Sequence, residues 1–107
     1  MDSYTVRVEL VGINHDHELY GTLHKKMEDA NFRREFKTQS GKWYELPHAE
    51  YFFWKDNTTA ADVANGAKKA VDQLPANLLP KGVRVIVTKD GGFAHLGLKE
   101  VTKPSWA

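Results

Sequence analysis

The hydrophobic spacing of this chain switches from every second residue to every third or fourth, and back, twice over. Tyr4, Val6, Val8 and Leu10 point one way, and Thr5, Arg7 and Glu9 the other. That alternation predicts a strand with one buried face. Leu19, Leu23, Met27 and Ala30 then recur at helical intervals, flanked by Tyr20, and predict an amphipathic helix over roughly 17–30. Asn14 or Asp16 can cap its start, and Asn31 can take the left-handed conformation that stops it. Phe32 to Gln39 reads as a second strand and Ser40-Gly41 as a turn. Lys42 to Leu46 either returns antiparallel or extends that turn. Pro47 interrupts pairing. Ala49 to Lys55 is the third strand, and its run Tyr51-Phe52-Phe53-Trp54 is apolar on both faces.

Thr59-Ala60-Ala61-Asp62 has the form of a capping box with Asp in place of Glu. Val63, Ala67, Ala70, Val71 and Leu74 follow as a second helical stripe, which Pro75 ends. Leu78, Leu79, Pro80 and Gly82 connect it to Val83–Thr88, the clearest strand of the chain. Asp90-Gly91-Gly92 is a hairpin signal, after which Phe93 to Leu98 is expected to fold back as a short fifth strand. The order is β-α-β-β-α-β, two split βαβ halves whose right-handed crossovers place both helices on one sheet face. The expected fold class is α+β: a ferredoxin-like two-layer sandwich, strands one and three central, with an extra short C-terminal strand. One domain is expected over 1–101, followed by a loose tail over 102–107.

A chain of 107 residues fits one domain with one core. The absence of cysteine excludes a disulfide framework, a thiol nucleophile and Cys-type metal sites. No apolar run approaches the ~20 residues of a membrane span. The N-terminus enters a strand pattern at once, where no signal peptide fits, so a cytoplasmic protein is expected. Fifteen basic residues against 14 acidic ones leave a net charge of +1, so any nucleic-acid footprint must be local. No phosphate-binding glycine loop, catalytic triad or paired-carboxylate motif is present, and no cofactor is expected.

One local basic cluster exists: Arg33, Arg34, Lys37 and Lys42, interrupted by Glu35 and Glu45. Its plainer reading is a solvated strand face and hairpin tip. His15-Asp16-His17 offers ligand types suited to zinc or nickel, but adjacent residues cannot readily converge on one ion. They read as loop and cap residues, and no metal is expected. Glu9 lies on the polar face of the first strand, where a cross-strand ion pair is the ordinary expectation. The alternative is a displayed carboxylate that binds a divalent ion or acts as a base. His24 sits one position beyond the Leu19-Leu23-Met27 stripe, at the solvent edge. His48 and His95 complete the histidines able to exchange protons near neutral pH. Either Tyr51 with Phe53 or Phe52 with Trp54 must face away from the helices. The pair that does so can stack on bases; the plainer reading is that the C-terminal strand, the tail or a second subunit covers it.

Ser3-Tyr4-Thr5-Val6 with Glu9, Met27-Glu28-Asp29-Ala30-Asn31-Phe32, Gly41, Leu46-Pro47, the aromatic strand and Thr59-Ala60-Ala61-Asp62-Val63 together give a familiar pattern. Over about residues 3–90 the chain resembles the GhoS family, small bacterial ferredoxin-like antitoxin endoribonucleases of type V toxin–antitoxin systems. Members cleave the messenger RNA of a small membrane toxin, and they carry an arginine on the first helix near the position of His24. The resemblance implies single-stranded RNA as partner. Arg33, Arg34 and Lys42 would hold phosphates, Trp43 or Tyr44 would stack a base, and Glu9 and His24 would transfer protons. Metal-free cleavage needs in-line attack by a 2′-hydroxyl, with a base and an oxyanion stabiliser. The competing expectation is a non-enzymatic interaction module, a homodimer or partner-binding sheet.

Overall fold

The computed structural model describes residues 2–14, 17–75, 82–91 and 96–105. Among them the elements run β1 (Ser3–Val11), α1 (Glu18–Asp29), β2 (Glu35–Lys37), β3 (Trp43–Glu45), β4 (Glu50–Trp54), α2 (Ala60–Val71), β5 (Gly82–Lys89) and β6 (Glu100–Val101). The fold is α+β, with two helices and two small antiparallel sheets of strand order β4-β1-β5 and β2-β3-β6. No helix among the described residues is long and apolar enough to cross a membrane.

β1 is the centre of the larger sheet because its alternation matches both neighbours. It pairs with β5 from Tyr4↔Lys89 to Val11↔Gly82 and with β4 from Ser3↔Trp54 to Arg7↔Glu50. This register puts Tyr4, Val6, Val8 and Leu10 on the same face as Tyr51, Phe53, Val85 and Val87. The two helices cover that face with Leu19, Leu23, Met27, Val63, Ala67 and Val71. Each large apolar side chain so buried contributes about 1.5–3 kcal/mol before entropy is counted. The alanines at 67 and 70 are almost fully buried, and their small size lets α2 approach the sheet.

Both helices start on side-chain caps. Thr59 Oγ1 accepts from the Asp62 amide at 3.1 Å, as the capping motif predicts. The cap of α1 is His17, whose Nδ1 accepts from the Leu19 amide at 3.0 Å. Asn14 was an expected cap, but it supplies only the carbonyl that receives the His17 amide at 2.9 Å. Asp16, with His15, lies outside the described residues. Asn31 has φ 70°, the left-handed stop its type allows.

The strand expected over Phe32–Gln39 is confined to β2, and Lys42–Leu46 does return antiparallel, as β3. Among the described residues one isolated bridge runs between the sheets, in which the Arg33 amide donates to the Phe52 carbonyl at 2.8 Å and the Phe52 amide to the Arg33 carbonyl at 2.7 Å. Of the aromatic run, Phe52 and Trp54 face away from the helices. Phe52 is buried there by Phe36, at 5.2 Å between ring centroids, in a second small core with Leu46, Tyr44 and Leu98.

Of the fifth strand expected over Phe93–Leu98, only Leu96–Leu98 are among the described residues. Phe93 to His95 lie outside the described residues, Leu96 to Lys99 are not strand, and β6 pairs with β3 through Trp43↔Val101 and Tyr44↔Glu100. The Asp90 carboxylate accepts from Ser3 Oγ at 2.9 Å and Thr5 Oγ1 at 2.8 Å, and the Asp90 amide donates to Ser3 O at 2.9 Å. Asp90, just past the end of β5, is thereby tied to β1, and Gly92 to His95 of the expected hairpin lie outside the described residues. Leu78, Leu79, Pro80 and Trp106 also lie outside the described residues.

Candidate functional site: a cleft around His24

Gly21, His24, Lys25 and Glu28 fall three and four residues apart on α1, and so share one flank of the helix. Facing them are Arg34, Glu35, Glu45 and Ser105, and an open cleft of about 410 Å³ lies between.

His24 is the organising side chain. Its Nδ1 lies 2.6 Å from the Tyr51 hydroxyl, and its ring meets Tyr51 at 5.6 Å and His48 at 5.7 Å between centroids. Burial, aided by the positive Arg34 and then by His48, lowers the His24 pKa from 6.5 to about 4. The imidazole is therefore neutral at neutral pH. Burial pushes Tyr51 well above its usual range. Arg34 opposes that shift and Tyr20 adds to it. A phenol that keeps its proton can donate it to the nearby Nδ1, the roles being set by the imidazole tautomer. With Tyr51 as donor, the neutral imidazole carries its own hydrogen on Nε2 and has an N–H donor to offer.

Arg34 is a clip. Its Nη1 donates to the carbonyls of Pro47 at 2.7 Å and Glu50 at 2.6 Å, and its Nη2 to that of Leu46 at 2.9 Å. Glu45 Oε1 stands 3.6 Å from Nη2, and the Tyr51 ring centroid lies 5.8 Å from the guanidinium carbon. The planar fork binds the loop between β3 and β4 and fixes His48 beside His24. Only arginine presents several donors in such a fixed plane.

Glu35 is a buried carboxylate, 6% exposed. Its Oε1 accepts from the Ser105 amide and its Oε2 from Ser105 Oγ, each at 3.1 Å. Ser105 Oγ is also 3.4 Å from Glu28 Oε2, and Pro104 is buried beside it.

Compared with known proteins, the chain matches no family model, no curated protein and no solved structure. What the site can do must therefore be read from its own groups.

Of the residues singled out in the sequence, the cleft gathers His24 and Arg34. Arg33 reaches Asn31 Oδ1 at 3.2 Å, Lys42 is exposed in the β2–β3 turn, Trp43 is half-buried on β3, and Tyr44 stacks on Phe36 at 5.9 Å. None of these four lines the cleft. Glu9 lies on the opposite face of the larger sheet, where its Oε1 accepts from Arg84 Nη1 at 3.1 Å. Glu9 and His24 are thus separated by the sheet and do not form one proton-transfer pair. His17 is spent on its helix cap. Among the described residues there is no group of three or more side chains able to hold a metal ion. Tyr51, Glu35 and Ser105 belong to the site and carry no local sequence signal for it.

Proposed function

We propose that the protein binds and cleaves single-stranded RNA at the His24 cleft, as a ferredoxin-like relative of the GhoS antitoxin endoribonucleases. The observation that carries this reading is a neutral histidine, held by Tyr51, at the wall of an open cleft. The element order from β1 to β5 and the Arg33–Phe52 bridge suit a ferredoxin-like sandwich, with the two sheets continuing one another. In-line attack by a 2′-hydroxyl needs a proton acceptor and a donor for the developing charge. The Nε2–H of His24 fits the donor, and the Glu28 carboxylate, one helical turn away, fits the acceptor. Three carboxylates stand in the cleft against Lys25 and Arg34. Sugar and base edges therefore suit its interior, while phosphates suit exposed cations such as Lys42 at its outside.

The test is incubation of the pure protein with a mixed transcript pool in the presence of a chelator. The wild type should cleave, and His24→Ala and Glu28→Gln should each slow cleavage by about 10²–10⁴-fold. Intact RNA, with no salt-dependent binding, contradicts the reading.

A second reading has its own observation. β5 ends the order β4-β1-β5, and on the face away from the helices Ile86 is 63% and Trp54 41% exposed. Such an edge and patch suit a binding module or homodimer. Light scattering that finds a dimer without RNA binding would favour it.

A further inference from the structure

We propose that residues 99–105 form a strap that closes one end of the His24 cleft, with the Ser105–Glu35 contact as its latch. The segment is attached at three points. The Glu45 amide donates to Lys99 O at 2.9 Å, β6 pairs with β3 over two residues, and Ser105 places both its donors on the two oxygens of Glu35. Ser105 lines the same cleft as His24 and Arg34, so the segment forms part of its wall.

The latch explains an otherwise costly choice. A carboxylate with 6% exposure must find charge-assisted hydrogen bonds or lose the solvation it gave up. Ser105, 70 residues away in sequence, supplies two such bonds. Its hydroxyl has one hydrogen but faces carboxylates on both sides, Glu35 at 3.1 Å and Glu28 at 3.4 Å. The hydroxyl hydrogen can serve only one of them at a time, and Ser105 is itself exposed, so water competes with the closed arrangement. A two-residue strand adds little cooperativity, which places the segment at the easily opened end of the molecule. On opening, the Glu35 and Glu28 carboxylates, already in the cleft wall, are freed from Ser105 as acceptors for a ligand with adjacent donors. The strap does not depend on the RNA reading, and its test involves no RNA.

The full-length chain is compared with Ser105→Asp, which sets a third carboxylate against Glu28 and Glu35, and with Ser105→Ala, which keeps the amide donor. Two readouts are taken at neutral pH: hydrogen exchange of the 99–105 segment, and carbethoxylation of His24 by diethyl pyrocarbonate, located by peptide mapping. S105D should raise both by about ten- to a hundredfold, the factor expected from losing charge-assisted hydrogen bonds in a local opening. S105A should raise both by less, with β1 and β5 unchanged. If S105D also loosens β1 and β5, the comparison of S105A with wild type decides by the same readouts. Unprotected exchange of the segment in wild type overturns the strap. So does faster exchange with no change in His24 labelling.

Discussion

The Tyr51 hydroxyl and His24 Nδ1 are 2.6 Å apart, and this contact joins the aromatic strand to the exposed flank of the first helix. Removing the hydroxyl with Tyr51→Phe leaves a half-buried imidazole nitrogen without its partner. Stability should fall by about 1–3 kcal/mol in chemical denaturation. Nitrogen-15 shifts of the His24 ring should show the Nε2–H tautomer in the wild type and a mixture of tautomers in the variant.

Acid should act through the same residue. The His24 pKa is about 4 in the folded chain against an ordinary 6.5, so between these values the unfolded chain binds the proton more readily. The stabilising contribution of the neutral imidazole is complete above the ordinary value and is lost as pH falls toward about 4. Denaturation midpoints measured at neutral pH and at the low end of that window should converge in His24→Phe relative to wild type.

Arg34→Lys tests whether the guanidinium is a clip. A lysine offers its three donors from one nitrogen, without the width of the guanidinium that spans these carbonyls from two, so at least one is expected to lose its partner. The expected loss is about 2–4 kcal/mol, read by thermal or chemical unfolding without any ligand. A surface cation awaiting phosphate would tolerate the exchange with a change within about 0.5 kcal/mol.

Gly66→Ala should stabilise the protein. The added Cβ would lie 3.7 Å from Phe32 Cζ, an ordinary contact, and glycine within a helix gives up about 1 kcal/mol relative to alanine. A raised melting temperature with unchanged spectra is expected.

These outcomes also mark what the sequence could disclose. Periods long enough to repeat were legible: the alternation of β1, the stripe Val63-Ala67-Ala70-Val71-Leu74, and the strand Val83–Thr88. β6 is two residues long, too short to carry a period, and its partner β3 is far away in the chain. His24 was visible at the edge of its helical stripe. Its partner was not, because whether Tyr51 or Phe52 faces the helices depends on the register against β1. Arg34 and Glu35 read as neighbours in a mixed surface cluster. The first is committed by carbonyls of the 46–50 loop and the second by Ser105, long-range events with no local signature. Glu9 was read correctly as a cross-strand partner in kind, and only the register names Arg84.

The most direct measurement titrates isotope-labelled full-length protein with a single-stranded RNA oligonucleotide and follows backbone and His24 ring resonances. Binding at the cleft should shift His24, Lys25, Glu28 and Glu45 together, and leave Glu9 and Arg84 on the opposite sheet face unmoved. Shifts confined to the Lys42–Trp43 hairpin or to β5, or no shifts at all, would contradict a functional site at His24.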